Sequence, residues 1–203
     1  MISTASRIGP LELAGNALCL DFANTVNGRP VAQRDYLADY ADLLAWVEYA
    51  GGLPAGATKP LRAASGPGAS AVLTDAHRLR DTVYAVFSPI AAARRPAAAD
   101  VDRIGSAYAG AMHHLRITGA SGAGRYALTW PVEAGRLDAP LWPVAQSAGE
   151  LLLSGPLERI GECPSCGWLF LDTSRNGTRR WCSMATCGSR DKMARYHRRR
   201  RPE

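Results

Sequence analysis

Residues 162–190, ECPSCGWLFLDTSRNGTRRWCSMATCGSR, hold four of the five cysteines of this 203-residue chain. They form a Cys-x2-Cys pair and, after 15 intervening residues, a Cys-x4-Cys pair. Zinc takes four thiolate or imidazole ligands in a tetrahedron, and two ligands on one short turn supply half of that set. The spacing therefore predicts a structural Zn²⁺ site whose ligands are Cys163, Cys166, Cys182 and Cys187.

Two disulfides are the competing interpretation of the same cysteines. The amino terminus, MISTASRIGPLELAG, lacks the basic end and apolar run of an export signal. No stretch of the chain approaches the ~20 consecutive apolar residues of a membrane span. We therefore expect a cytoplasmic protein with no membrane partner. Because that compartment keeps thiols reduced, this expectation favours the metal site over disulfides.

The net charge of +6 lies entirely in the carboxy-terminal part of the chain. Residues 158–203 carry 11 basic and 5 acidic side chains, whereas residues 1–157 carry 13 of each. Charge and cysteines together predict two domains, a neutral body (residues 1–156) and a basic finger (residues 157–203). Because 47% of the residues are hydrophobic, a disordered chain is excluded. As a separate domain, the body is expected to stay helical when the finger loses its metal.

Within the finger, the residues between the cysteine pairs predict a β-hairpin. Residues 168–171 have the character of a strand, residues 176–177 (Asn-Gly) are typical of a tight turn, and residues 179–181 would return. After Cys187 the sequence predicts a helix to about Arg200. Two sets of side chains are expected to pack these elements together: the helix residues Met193 and Tyr196, and the aromatic pair Trp168 and Trp181.

Basic side chains recur on both predicted elements of the finger. A helix of about 14 residues is ~21 Å long, which suits the major groove of DNA, and arginine binds phosphates and guanine edges. The sequence therefore predicts double-stranded DNA as the partner, and a merely solvated basic face is the alternative. The residues predicted to contact DNA are Arg175, Arg179, Arg180, Arg190, Lys192, Arg195, Arg198 and Arg199.

Apolar periodicity in the body predicts four helices. The first spans residues 35–50, and the second starts near Thr74, whose hydroxyl would cap it, and is kinked or shortened at Pro89. The third starts near Ala98, and the fourth spans residues 140–153.

The segments between these helices predict two loops and one strand. Residues 54–71 are Ala, Gly, Pro or Ser at 14 of 18 positions, which is typical of a flexible loop. Residues 118–124 form the second loop and residues 125–130 a short strand. The expected fold class is mainly α (α+β). A helical amino-terminal domain with a few short strands precedes a four-cysteine zinc finger, which consists of a β-hairpin and a basic helix.

Residues 17–25 (ALCLDFANT) end an apolar run in polar side chains. The simpler interpretation is a buried strand or first helical turn whose polar side chains cap nearby backbone groups. The alternative is a small-molecule pocket with Asp21, Asn24 and Thr25 as its polar members, because such pockets combine apolar walls with a few fixed polar groups. The body would then sense an effector or act as an enzyme, with the finger as a protein or RNA adaptor.

Motifs for catalysis are missing from the sequence. It contains no Gly-x-Ser-x-Gly, Gly-x-Gly-x-x-Gly or His-Glu-x-x-His. The fifth cysteine, Cys19, lies inside an apolar run and is interpreted as a core residue. We therefore expect no enzyme and no catalytic residue, while the oligomeric state, a homodimer included, is left open by the sequence.

The finger resembles the CGNR-type zinc finger, in the runs CPSCGWLFLDTSRN (163–176), RRWCSM (179–184) and CGSR (187–190). Residues 20–25 (LDFANT) and the helices that follow are similar to the ABATE domain that accompanies this finger in bacterial proteins. Ser189 stands where the family has its signature Asn, and because both side chains can cap a helix we expect the fold to be kept. The resemblance implies a stress-induced transcription regulator with a mostly helical amino-terminal domain and a DNA-binding finger.

Overall fold

The computed structural model describes residue 8 and residues 11–29, 34–119 and 125–200, without the side chains of Arg195 and residues 197–200. Short antiparallel pairs of strands connect or flank the helices. The helices are α1 (Leu18–Ala23), α2 (Tyr40–Tyr49), α3 (Gly66–Ala91), α4 (Ala98–Met112), α5 (Trp142–Ser154) and α6 (Ser189–Arg200). The strand pairs are β1 (Val26–Asn27) with β2 (Arg34–Asp35), β3 (Arg116–Gly119) with β4 (Tyr126–Thr129), and β5 (Ile160–Glu162) with β6 (Leu169–Leu171). This confirms the predicted mainly helical fold class.

Helix α2 begins at Tyr40, five residues later than predicted. Asp39 is extended and forms a capping box with Asp42, which satisfies backbone N–H groups at the helix start. The preceding segment is held away from the helix because Arg80 of α3 donates two hydrogen bonds, both 2.7 Å long, to the carboxylate of Asp35. Apolar periodicity cannot reveal this tertiary contact.

Helix α3 begins at Gly66, so the predicted start near Thr74 is wrong. Pro67 occupies the first turn, where its fixed φ suits a helix and its missing N–H costs nothing. Thr74 does not cap the helix but lies inside it, where its hydroxyl donates to the Ser70 carbonyl at 3.0 Å. The predicted flexible loop therefore ends at Ser65. The helix continues past Pro89 to Ala91, since a proline this close to the carboxy-terminal end disturbs little of the helix.

The other predicted elements of the body are present with shifted ends. Helix α4 starts at Ala98, although only Ile104 and Ala111 of it are buried and Val101 is exposed. Strand β4 lies within the predicted strand, and β3 is its antiparallel partner. Helix α5 starts at Trp142, two residues later than predicted, because residues 139–141 form a 3-10 turn.

Helix α1 is the centre of the molecule. Its residues Cys19, Leu20, Phe22 and Ala23 have no exposed surface, so the helix is apolar on nearly all sides. Helices α3 and α5 pack against it, and so does β6 of the finger. Phe22 and Trp46 of the body belong to the same apolar cluster as the finger's Phe170. Body and finger therefore share one core.

Among the described residues, no helix is long and apolar enough to cross a bilayer.

Candidate metal centre and basic surface

The four predicted ligands lie together at the base of the finger. The sulfur atoms of Cys163, Cys166, Cys182 and Cys187 all lie within 4.8 Å of one another, and all four residues are buried. The Sγ atom of Cys182 is 3.5 Å from that of Cys166 and 3.6 Å from that of Cys187. Four sulfurs at ~2.3 Å from one zinc ion are ~3.8 Å apart. The cluster therefore has the size of a tetrahedral Zn²⁺ site.

The first cysteine pair lies on the turn of a β-hairpin. The N–H of Cys163 donates to the Trp168 carbonyl, and the N–H of Gly167 donates to the Cys163 carbonyl, both at 2.8 Å. Gly167 has φ +71°, and a Cβ atom there would lie 2.9 Å from the Cβ atom of Arg29. Both the conformation and the contact require glycine. The turn thus places Cys163 and Cys166 side by side, and at Gly167 it packs against Arg29 of the body.

The second pair is held at the start of α6. Cys187 lies in a π-helical turn, Met184–Gly188, which runs directly into α6. The hydroxyl of Ser189 donates to the Met184 carbonyl at 3.0 Å. Ser189, which replaces the signature Asn of the resembling family, therefore makes a local hydrogen bond to a preceding carbonyl, which ties the start of α6 to the π-helical turn.

Hydrogen bonds among Cys163, Cys166 and Cys182 shift the pKa values of these three thiols in opposite directions. Hydrogen bonds from Cys166 and Cys182 lower the pKa of the Cys163 thiol far below its usual range. Hydrogen bonding to Cys163 raises the pKa of Cys166 to about 12 and also raises the pKa of Cys182. Without a cation this cluster can therefore hold only part of its charge. A sulfur-binding dication removes that limit, because it stabilises all four thiolates together.

The hairpin of the finger is not the one that the sequence predicted. Residues 179–181 are not a strand, and β6 pairs instead with the upstream strand β5. The reason is Asp172, whose carboxylate accepts from the N–H groups of Ser174 and Arg179, both at 2.8 Å. These bonds close the segment into a loop. The Asp-x-Ser spacing is the sequence signal that could have predicted it.

The predicted packing within the finger is also wrong. Met193 and Tyr196 are 53% and 46% exposed, so neither is a buried core residue of the finger. Trp168 is buried against the body, where its indole N–H donates to the Val26 carbonyl at 2.9 Å. Trp181 is only half-buried, so the two tryptophans do not form a separate core.

Asn24 and the residues around it bind the free edge of β6. The Asn24 amide donates to the Leu169 carbonyl at 2.8 Å and accepts from the Leu169 N–H at 2.9 Å. Further along the same edge, the Leu171 N–H donates to the Gly15 carbonyl at 2.8 Å, and Asn16 donates to the Leu171 carbonyl at 2.9 Å. The body thus supplies the hydrogen-bond partners that an edge strand lacks.

The other two polar residues of the hypothetical pocket also bond within the chain. Asp21 accepts from the Gly15 N–H at 2.7 Å, and the hydroxyl of Thr25 donates to the Phe22 carbonyl at 2.7 Å. Asp21, Asn24 and Thr25 are all buried. Their contacts support the simpler interpretation, in which these side chains satisfy backbone groups.

The raised pKa of Asp21 is expected to make the stability of the fold depend on pH. Burial raises its pKa to about 6, although hydrogen bonds from the backbone and the charge of Arg179 oppose this shift. A carboxyl whose pKa is raised on folding stabilises the folded state below its unfolded pKa, near 4, and that contribution is lost as the pH rises through 6. Asp21→Asn is expected to remove this dependence, worth up to about 3 kcal/mol. Urea unfolding of both proteins between pH 4.5 and 7.5 measures it, and parallel pH curves would contradict it.

The predicted DNA-contacting residues differ in where their side chains lie. Arg175, Arg180, Arg190 and Lys192 are exposed. Arg179 is half-buried and donates to the Ala14 carbonyl at 2.8 Å and the Trp181 carbonyl at 3.1 Å. Its guanidinium also lies 4.4 Å above the ring of Phe170 in the finger. The hydrogen bond to Ala14 therefore joins the finger to the body. The side chains of three members of the set lie outside the described residues: Arg195, Arg198 and Arg199.

Two further charged residues position the finger, although no sequence pattern indicates their role. Glu162 on β5 accepts from the hydroxyl of Tyr84 at 2.8 Å and from that of Ser88 at 2.6 Å, both on α3. Arg159 donates to the carbonyls of Asp172 and Ser174 at 2.9 and 2.8 Å. No sequence motif distinguishes these residues from ordinary surface charges.

Comparison with known families agrees with this arrangement of body and finger. The sequence model of the ABATE family, described as "Putative stress-induced transcription regulator", matches residues 16–155. The model of the CGNR zinc finger matches residues 159–200, which include all four clustered cysteines. No curated protein matches the chain. A zinc-finger family and a four-sulfur cluster of the right size together confirm the predicted cofactor, a structural Zn²⁺ ion.

Proposed function

Because the chain belongs to the ABATE family and carries a CGNR zinc finger, we propose that it is a transcription regulator that binds double-stranded DNA through the finger. The observation that carries this proposal is the uneven distribution of net charge between the finger and the body. The whole excess of +6 lies in the finger, which the zinc site holds in shape, while the body is neutral. We also propose that the boundary between the body and the finger follows residue 156 and that the protein acts in the cytoplasm.

The proposed role of zinc is to position basic side chains. With four protein ligands the ion has no open position for a substrate, so it supports the fold and supplies no reactive group. It joins the loop that carries Arg175 and Arg180 to the helix that carries Arg190 and Lys192. We accordingly propose a protein that is not an enzyme, in line with the regulatory and zinc-finger families that it matches.

The proposed DNA contacts come from two elements. Helix α6 has 12 residues and is therefore ~18 Å long, which suits the major groove. The exposed loop cations Arg175 and Arg180 would contact phosphates beside it. Arg195, Arg198 and Arg199 remain proposed contacts on α6. Arg179 is the least suited of the predicted residues, because two of its three guanidinium nitrogens already bind carbonyl groups within the chain.

Salt dependence tests this proposal directly. If about five phosphates are neutralised, the logarithm of the affinity for duplex DNA should fall with the logarithm of salt concentration at a slope of about −4.5. Titration of a fluorescent duplex by anisotropy at four salt concentrations gives the slope. A flat dependence would overturn the proposal. Tighter binding to single-stranded DNA or RNA competitors would instead favour an adaptor for those molecules.

A pair of matched double variants separates the finger surface from overall charge. Arg180→Ala/Lys192→Ala is expected to weaken binding about tenfold or more and to reduce the slope by about 1.8, because two phosphate contacts are lost. Arg94→Ala/Arg95→Ala removes the same charge from exposed positions of the body and should change neither quantity much. Equal effects of the two variants would show that the finger has no specific role.

A further inference from the structure

A cavity of about 280 Å³ lies between α3, α4 and α5, away from the zinc site. Its walls are mainly aliphatic or small, with Leu79, Ala107 and Ala145 as examples from the three helices. All the residues that line it belong to the body, and they do not include Asp21, Asn24 or Thr25. A volume of this size is close to the lower limit for small-molecule sites and suits a fragment-sized ligand.

The polar part of the cavity is built by hydrogen bonds around Arg136. The guanidinium donates to both carboxylate oxygens of Asp138 at 3.2 and 3.0 Å, and the indole N–H of Trp142 donates to the same carboxylate at 3.0 Å. Arg136 also lies 2.7 Å from the Nε2 atom of His114. Because arginine has no acceptor, this nitrogen must accept, and His114 is neutral with its proton on Nδ1. Its ring stacks on Trp142 with centroids 4.2 Å apart.

The charged groups that line the cavity are both acidic. Asp75 of α3 and Asp138 border it, whereas Arg136 and Arg78, which bind these carboxylates, are not among its lining residues. A carboxylate offers about four acceptor sites, so each of these residues can accept a further hydrogen bond from a ligand. The lining therefore presents an apolar wall and two carboxylates, which complement an apolar cation.

We propose that this cavity binds a small apolar compound that carries one protonated amine. The hydrocarbon part contacts the aliphatic wall formed by α3, α4 and α5. The ammonium group binds the carboxylate of Asp138, which hydrogen bonds from Arg136 and Trp142 hold in place. Asp75, which Arg78 binds, adds a second negative charge to the lining. The proposal concerns the body alone and does not depend on DNA binding.

Three related probes test the charge preference. The probes 2-phenylethylamine, benzyl alcohol and phenylacetate carry a phenyl ring with a cationic, neutral or anionic end. Titration calorimetry of the full-length zinc-loaded protein is expected to show that the amine binds at least tenfold more tightly than phenylacetate, with the alcohol between them. Equal affinities for the amine and phenylacetate, or no heat from the amine at millimolar concentration, would overturn the proposal.

Variants locate the binding. A Cβ atom at Gly110, which lines the cavity, meets no atom within 4 Å, so a larger side chain can start there without a backbone clash, and Gly110→Leu is expected to obstruct the cavity. We expect this variant to lose at least tenfold in amine affinity. Asp75→Asn should lose several-fold, whereas Asp102→Asn, an exposed carboxylate of α4 outside the lining, should bind normally. Circular dichroism checks that each variant is folded, and unchanged amine binding by a folded Gly110→Leu variant would contradict the assignment.

Discussion

Cys182→Ser is expected to abolish zinc binding and to destabilise the whole chain by about 4 kcal/mol or more. Structural zinc contributes to folding outright, and loss of a metal site is among the few changes that cost this much. Cys182 is buried, and its sulfur contacts those of Cys166 and Cys187. The body should be affected as well, because the apolar cluster that contains the zinc ligands also contains Phe22 and Trp46.

The matched control for this change is Cys19→Ser. Cys19 is the fifth cysteine, fully buried in α1, and burial raises its pKa to about 12, so it is an unreactive core thiol. Its replacement should cost stability by burying a hydroxyl but should keep one zinc ion per chain. Metal analysis gives the stoichiometry, and thermal unfolding followed at 222 nm reports on the body helices. Normal zinc content in Cys182→Ser would refute the ligand assignment.

The thermal unfolding of Cys182→Ser also distinguishes two separate domains from a body and a finger that share one core. Separate domains, as the sequence predicted, would leave the body's helical transition unchanged in Cys182→Ser. The shared core predicts instead that this transition shifts to lower temperature together with the loss of metal. An unshifted transition would show that the body folds without support from the finger.

Asn24→Ala is expected to have the second largest effect, a loss of about 2–4 kcal/mol in the free energy of unfolding. The side chain is 1% exposed and binds both the N–H and the carbonyl of Leu169. Alanine leaves two buried backbone groups without partners, and each such group costs about 1–3 kcal/mol. Asn24→Asp should be no better, because it keeps an acceptor for the N–H but places a carboxylate oxygen against the Leu169 carbonyl.

Asn16→Gly is the control for Asn24→Ala. Asn16 binds the same strand, at the Leu171 carbonyl, but this hydrogen bond is exposed to solvent and can be replaced by water. Glycine is chosen because Asn16 has φ +57°, where alanine would add backbone strain. We expect a loss of at most about 1 kcal/mol. Urea unfolding with an unchanged m-value gives both numbers, and equal losses for the two variants would refute the edge-pairing role of Asn24.

Features of the site that depend on residues close together in the sequence could be predicted. Two cysteine pairs on short turns specify a tetrahedral set of ligands whatever surrounds them, so the zinc site followed from spacing. The start of α6 directly after the second pair followed for the same reason, since the turn holding Cys187 continues into the helix. Apolar periodicity located α4 and α5 to within two residues at their starts, because one face of each packs on the core.

Features that depend on contacts between residues far apart in the sequence could not be predicted. The predicted hairpin paired residues 168–171 with the downstream segment, whereas the Asp172 carboxylate closes that segment into a loop and β6 pairs with the upstream strand β5. Arg179 was grouped with the DNA-contacting arginines, yet its partner Ala14 lies 165 positions away. A basic residue in a sequence does not show whether its guanidinium contacts solvent or a carbonyl group.

The sequence by itself determined the metal ligands, the charged finger and the helical class, because each depends on residue type and short-range spacing. Only the tertiary structure decided how the finger is held. The free edge of β6 and the buried Trp168 need partners, and these come from residues near the amino terminus, Asn24 being 145 positions away from Leu169. No local pattern encodes such a pairing, because it arises when both segments bury their apolar faces in one core and their backbone groups must then find each other.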